Sequence, residues 1–445
     1  MYHRLRVGLL VVFCLSIGNL FGLFAQHSTD YYSLSMVGNA GNGIFAPYYL
    51  SANKHGLVTH SKSGYLRASV FKGLEMNKRF SYEFGIDLVG LMSSTSPVSY
   101  YSDGNLKTYN PGVSSFLIQQ AYIGMKYRMI FISAGCRELT DEVVNFELSS
   151  GGLVWSGNAR PIPQVRAGFI DFVDIPFTKG WVQIKGELAY GKFMDNDFLR
   201  DHYNYYNQYI TTDALYHHKS ISFRSNPDKP FVVTIGAELA AQFGGTKRYY
   251  EKGILIDSLT MKSPTRLKDF FKILFPSSGD GQTNEGDQAY YYGNHVGQWN
   301  LSAEYRFKDN SSVRGYFEWY FDDASGMGKF NGWDGLWGLE YKSGKKNWLS
   351  NVVLEYLDMT NQSGPLNWCP SDYNDPKLDI EATGADDYYN NYFYNGWAHY
   401  GLSNGTAMAK SLLYNTDGYM RYKHNRIRGV HLGASGYIAP EWKYK

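Results

Sequence analysis

Asp387, Tyr388, Tyr389, Asn390 and Asn391 stand in one unbroken run, and Trp397 follows shortly after. These are the side-chain types with which proteins hold sugars. The flat rings of Tyr and Trp cover the C–H face of a pyranose while Asn and Asp meet its hydroxyls. Trp333 and Trp368 bring further rings from nearby in the chain, and Arg160 and Arg224 offer guanidinium forks that suit the carboxylate of an acidic sugar. The run therefore reads as a non-covalent glycan site. It reads equally as an aromatic excursion that folds inside a larger element. Signatures of covalent chemistry are missing. Gly433-Ala-Ser-Gly-Tyr437 has Tyr where a nucleophile elbow needs its last Gly. His217-His218 is followed by Lys219 and Ser220, which makes no zinc helix. Asp195-Asn-Asp197 opens like a calcium loop, but Arg200 occupies the position where the turn needs Gly. Gly38-Asn-Ala-Gly-Asn-Gly43 has no amphipathic helix after it and reads as a turn. A binding protein without catalytic residue, metal or cofactor is expected.

Such residues need a scaffold, and composition says which kind. The chain has 39 Tyr, 26 Phe, 10 Trp and 47 Gly, yet its mean hydropathy is −0.37. A membrane-spanning β-barrel combines these two properties, because its strands alternate lipid-facing apolar residues with lumen-facing polar ones and its aromatics gather at the bilayer interfaces. Period-two alternation fills residues 65–71, 80–91, 116–127, 129–136, 181–190, 231–243, 299–307, 313–321, 336–341, 348–357 and 427–438. In the second of these, Phe80, Tyr82, Phe84, Ile86 and Leu88 share one face, and Ser81, Glu83 and Asp87 share the other. About fourteen to sixteen strands are expected. On this pattern Trp337 and Tyr341 read as interface aromatics, while Glu238, Glu355 and Arg306 read as inward charges filling a small lumen. The fold class is all-β, a transmembrane outer-membrane antiparallel barrel.

Arg4 and Arg6 precede an apolar stretch over 7–25 that ends at Ala25-Gln26, a pattern of secretory signal segments. The expected division is a signal segment over 1–25 and one barrel domain over 26–445. Long loops or plug segments are expected near 195–219, 246–296 and 361–411. A short helix is expected over 263–276, with Ser263 as N-cap, Pro264 in its first turn and Leu267, Phe270, Phe271 and Leu274 as one stripe. Residues 201–219 read as polar and aromatic, partly helical and not as a strand. Cys136 and Cys369 are expected as free thiols, and Cys14 follows Phe13, too large for a lipid-attachment box. The last strand is followed by one hairpin turn, so further strands that would close the barrel are expected to be missing. A net charge of +2 without a basic stripe excludes nucleic acid as an expected partner.

Several strings occur in a fixed order. The longest is Ser149-Ser-Gly-Gly-Leu-Val-Trp-Ser-Gly-Asn-Ala-Arg-Pro-Ile-Pro-Gln164, which carries Gly152, Trp155, Gly157, Asn158, Pro161, Pro163 and Gln164. After it come residues 218–224, 236–245 with Gly244 and Gly245, 321–326, Asp334 with 335–338, Glu355, Gln362 with 363–365, and 387–391 with Gly396 and Trp397. Together they resemble the Wzi-type capsule assembly family over essentially the mature chain. The resemblance implies an eighteen-strand outer-membrane barrel that attaches or organises capsular polysaccharide as a surface lectin. The implied partners are that polysaccharide, outer-membrane lipid and the polysaccharide export machinery. A passive channel for sugars or small solutes is the alternative, and an outer-membrane hydrolase a weaker third.

Overall fold

The computed structural model describes residues 30–140, 143–289, 291–322, 327, 333–362, 367–368, 381–382 and 387–445. The expected signal segment, Cys14, Cys369 and much of the 361–411 excursion lie outside the described residues. Cys136 is unpaired.

Fifteen wall strands follow one another among the described residues: β1 Asp30–Asn39, β2 Ser63–Lys72, β3 Phe80–Ser93, β4 Phe116–Tyr127, β5 Ile130–Cys136, β6 Gln164–Phe169, β7 Val182–Lys192 and β8 Gln208–Ser225. Then come β9 Phe231–Glu251, β10 Asn294–Arg306, β11 Ser312–Phe321, β12 Gly335–Lys342, β13 Asn351–Asp358, β14 Arg428–Ala439 and β15 Trp442–Tyr444. Each pairs antiparallel with its neighbour in the chain. Three two-residue ladders bring the sheet to eighteen strands, so that number is not one of eighteen wall strands. The sheet is not closed: β1 pairs only with β2, and β15 only with β14.

Alternation builds the wall as the sequence implies. Phe80, Tyr82, Phe84, Ile86 and Leu88 of β3 are exposed on the outside, while Ser81, Glu83 and Asp87 are buried on the inside. The inward charges are paired, which offsets the cost of taking them from water. Arg67 contacts both Asp87 and Glu138, Arg137 meets Glu83 at 2.7 Å, and Arg166 holds Glu187 through two hydrogen bonds. Short turns join β2–β3, β4–β5, β8–β9, β10–β11 and β14–β15 at one rim. Long excursions leave the other rim. In outer-membrane barrels the short turns face the periplasm and the long loops face outward.

Two expectations are corrected. Residues 208–219 belong to the long strand β8, and helix is confined to α2, Asn196–His202, after the four-residue α1, Tyr48–Ser51. The alternation of β8 is hard to read because His217 and Lys219 stand on its outer face, where lipid-facing residues are expected. They are covered there by α3, Leu267–Leu274, part of the 252–293 excursion. The helix itself begins at Leu267 with Arg266 as its N-cap, later than the Ser263 start. The 246–296 excursion is also shorter than expected, because 246–251 continue β9 and 294–296 open β10. Where β8 and β9 bend, Asp213, Gly244 and Gly245 all take positive φ. A Cβ at Gly245 would lie 2.7 Å from the Thr212 carbonyl oxygen, so this kink requires glycine.

The principal hydrophobic core lies inside the barrel. Leu153, Val154, Tyr388, Tyr389, Trp397 and Tyr422, none of them from the wall, pack against Tyr216, Ala240, Val296, Tyr316, Tyr320 and Leu357 of the wall.

Candidate functional site

Two segments form this plug, 143–163 between β5 and β6 and 387–427 between β13 and β14. The wall grips the first by its main chain. The Glu355 carboxylate accepts the Ser149 hydroxyl at 2.6 Å and the Ser150 N–H at 2.7 Å. Glu318 accepts the Leu153 N–H at 2.8 Å, and Gln298 accepts the Val154 N–H at 3.0 Å. Three neighbouring amides that would otherwise be buried without partners are thus satisfied by three wall strands. The second segment takes the carbonyls of the first. Tyr389 donates its hydroxyl to the Leu153 oxygen at 2.6 Å, and Trp397 Nε1 donates to the Val154 oxygen at 2.7 Å.

The sequence-predicted glycan residues fall in several places. Tyr388, Tyr389 and Trp397 are wholly buried, so none offers a ring face to a ligand in this arrangement. Tyr388 donates to the Gly297 oxygen of β10 at 2.9 Å. Asn390 clamps Tyr422 through both its amide groups, and the Asn391 oxygen accepts the Phe393 N–H at 2.9 Å, closing a turn. Asp387 is exposed and accepts from Asn390 and Asn425. Trp333 is exposed outside the wall, 5.8 Å from the ring of Trp337, which itself stacks on Phe317 as an outer-face aromatic. Trp368 pairs with Glu381 through its backbone, and its side chain lies outside the described residues. Arg160 stacks 4.0 Å over Tyr400, where the two plug segments meet. Arg224 stacks 4.0 Å over Phe172 in a luminal cavity of about 280 Å³ near the short-turn rim. The structure does not bring these candidates into one site.

Several residues of the ordered strings fasten the plug. Gly152 is buried in it, and the Gly157 oxygen accepts the His55 N–H at 2.7 Å. Asn158 donates to the Ser403 oxygen at 3.2 Å. Pro161 and Pro163 carry the chain from the plug to Gln164, the first residue of β6, and the Pro163 oxygen accepts from Lys192. Asp334 accepts the Asn361 N–H at 2.6 Å, and Gln362 accepts the Tyr388 N–H at 2.8 Å. Trp155 faces a polar cavity lined by Arg166, Glu187, His218 and Glu238.

An aromatic surface that the sequence reading missed lies on the long-loop rim. The hairpin Val98–Ser102/Asn105–Tyr109, the 203–209 segment and the end of β9 meet there. Tyr101 stacks on Tyr206 with ring centroids 4.7 Å apart, Tyr100 meets Tyr109 at 5.2 Å, and Tyr205 meets Tyr250 at 4.9 Å. Tyr209 joins Tyr249 at 5.1 Å and Tyr392 at 5.6 Å. Backbone hydrogen bonds fix the platform: Tyr101 N–H to the Asn204 oxygen, Gly104 N–H to Lys252, and Gly253 N–H to Tyr205. Tyr206, Tyr109 and Tyr392 are exposed, with Asp103, Asn105, Lys107 and Asn207 also exposed around them. A signal was present in the sequence: paired tyrosines at 100–101, 205–206 and 249–250 stand outside or at the very ends of the alternating segments.

Two titratable groups under this face oppose each other. Burial pushes the Asp195 carboxyl up to about 7, against the Tyr400 N–H donated to it at 3.1 Å. His399 donates from Nδ1 to the Arg160 oxygen and accepts the Met194 N–H at Nε2, so the ring is neutral, and burial pushes its pKa down to about 3. Between pH 3.8 and about 7 the folded state holds the Asp195 proton longer than the unfolded chain does, so this group lowers stability as pH rises. Between about 3 and 6.5 the folded state refuses the His399 proton, so this group raises stability as pH rises. The two slopes cancel over most of the shared window. Asp195→Asn removes the opposing slope, so between pH 4 and 6.5 stability should rise with pH more steeply than in the wild type, by up to about 1.4 kcal/mol per unit. Urea titrations of the folded protein at several pH values check this. A variant whose stability follows the same pH slope as the wild type would refute it.

Among the described residues no three His, Cys, Asp or Glu side chains gather as a metal set. No protein-family model matches the chain. No curated protein matches it. Among solved structures it is similar to Wzi of Escherichia coli, described as an outer-membrane protein involved in group 1 capsule assembly and as a carbohydrate-binding β-barrel. The TM-score is 0.46 at 13% identity over 86% of this chain, which spans 65% of that one. Two mutant forms of a Rh. blastica porin are similar with TM-scores of 0.26 and 0.27 at 10% and 12% identity, over 73% of this chain and 94% of theirs.

Proposed function

We propose that the chain is a non-catalytic outer-membrane lectin that holds capsular or exopolysaccharide at the cell surface and assists capsule assembly. The observation that carries this is the tyrosine platform on the long-loop rim. Its rings are fixed by backbone bonds before any ligand arrives, and the platform stands on the side where a surface polymer lies. Rigid amphipathic rings ringed by Asn, Asp and Lys suit neutral or acidic sugars, and little ordering entropy is lost when they bind. The resemblance of the ordered strings to the Wzi-type family supports the capsular class of ligand. The plug counts against a channel, because the main hydrophobic core occupies the lumen that a solute would cross.

Binding of purified capsular polysaccharide to the protein in detergent micelles tests the reading. The double variant Tyr101→Ala/Tyr206→Ala should lose about tenfold in affinity, since about 1.4 kcal/mol is a factor of ten. Trp337→Ala, on the outer wall, should change nothing. Equal binding by the rim variant and the wild type would remove the platform from the site. Unchanged capsule retention in cells that lack the protein would remove the function.

A further inference from the structure

The 252–293 excursion rises from the long-loop rim and returns down the outside of the wall. Its helix α3 buries Ile273 against Phe243, Tyr292 and Ala241, with Phe270, Tyr190 and Leu215 packed alongside. The start of the excursion's helical part lies by the kink, where Thr265 approaches Gly244. Its end lies lower, where Lys219 donates to the Ile273 oxygen at 3.2 Å and to the Leu274 oxygen. Lys219 stands on the outer face of β8, so these helix-end carbonyls neutralise a cation on the wall's lipid side.

The opposite side of α3 is unusual for a helix in water. Leu267, Phe271 and Phe275 form one i, i+4, i+8 row and are 76%, 56% and 69% exposed. Such a row is natural where a helix lies in the interface of a bilayer. Below the C-terminal end, helix and wall part around an apolar groove of about 460 Å³, lined by Ile221, Leu239 and Phe321 of the wall and by Pro276 and Tyr291 of the excursion. That volume falls within the roughly 300–1,000 Å³ of ligand sites. The groove opens beside the exposed outward positions Phe223, Ile235 and Leu301, which lie outside it on the band that faces hydrocarbon. At the upper end of the helix Arg266 and Lys268 reach Asp280 at 2.8 and 3.0 Å, and Lys272, in the last turn, lies 3.7 Å from the same carboxylate. With Asp269 included, three cations face two carboxylates, which leaves a positive edge at headgroup height.

We infer that α3 and the wall bind one phosphorylated glycolipid of the outer leaflet, of the lipid A class. One acyl chain fills the groove and a phosphate meets Arg266, Lys268 and Lys272. The vertical order supports the choice: Arg266 and Lys268 lie toward the rim, Lys272 lies in the last turn of the helix, and the apolar groove opens below that turn. This site depends on the membrane barrel and not on the lectin reading.

Native mass spectrometry of the full-length protein, delipidated and then titrated with purified lipid A in micelles, tests the inference. The wild type should take up one lipid A. Ile221→Trp fills the groove and should cut occupancy at least tenfold, while Phe223→Trp, outside it, should not. Lys268→Glu/Lys272→Glu, the first exposed and the second partly buried, should weaken uptake at least tenfold and abolish its salt dependence, with the folded gel mobility of the protein retained. Uptake by both Ile221→Trp and the charge-reversed variant at the wild-type level would overturn the site. Equal uptake of phosphatidylethanolamine and lipid A would overturn the glycolipid assignment.

Discussion

Trp397→Ala should open a lumen that is otherwise silent in planar bilayers. The wild-type barrel is expected to carry no large stable current, because plug and wall share one core. The Trp397 ring is wholly buried in that core, edge-on to Phe193 at 6.2 Å and stacked on Tyr216 at 6.1 Å. Truncating a buried Trp to Ala costs about 3–5 kcal/mol. The Val154 carbonyl also loses the indole N–H, which costs about a further 1–3 kcal/mol. Loss on that scale is comparable to the whole stability of many domains, so the 387–427 segment should detach while the wall persists. Current steps in the variant, with strand content by circular dichroism unchanged, are the expected pair of results. Trp397→Phe keeps most of the volume and should cost chiefly the lost hydrogen bond, about 1–3 kcal/mol. A silent Trp397→Ala variant with wild-type urea resistance would show that the plug is held elsewhere.

Glu355→Ala should release the other half of the plug. The carboxylate accepts from the Ser149 hydroxyl, the Ser150 N–H and, at 2.5 Å, the Tyr316 hydroxyl. Removing the acceptor orphans three buried donors, and breaking such a cluster costs about 3–5 kcal/mol. Hydrogen exchange reports this site by site. Ser150 should lose protection first, followed by Leu153 and Val154, whose amides reach Glu318 and Gln298 on neighbouring strands. Glu355→Gln keeps the shape but brings an NH₂ group toward donors, so it should fall between wild type and alanine. Protection of all three amides unchanged in Glu355→Ala would mean that the wall does not hold the segment through this residue.

The wall was legible in the sequence because lipid and lumen impose opposite demands on alternate residues, and β3 writes both plainly. Legibility failed where that rule is locally suspended. β8 carries His217 and Lys219 outward because α3 shields them from hydrocarbon, and so its period is blurred. In α3 the predicted single stripe of Leu267, Phe270, Phe271 and Leu274 divides. Phe270 turns to the wall, and Leu267 and Phe271 turn away from it. A helix between a barrel and lipid has two apolar faces, so stripe width does not say which one is buried. The sugar-type residues of 387–397 read two ways for a related reason. Tyr, Trp and Asn satisfy a plug's main chain with the same donors and acceptors that would satisfy a glycan, and only burial tells the two uses apart. The rim tyrosines carried weaker chemistry in the sequence, but the fold leaves the rings of Tyr109, Tyr206 and Tyr392 in the open.

The grip of Glu355, Glu318 and Gln298 on main-chain amides bears on how such a protein can diversify. Every residue except proline supplies the same N–H, so positions 150, 153 and 154 are recognised by the wall as peptide and not as particular amino acids. Substitutions in the excursions can then accumulate without a matching change in the barrel, provided their volume still fits. The wall becomes a constant frame that accepts new outward-facing surfaces, and a lineage facing a changed polymer could retune its loops while its membrane half drifts far more slowly.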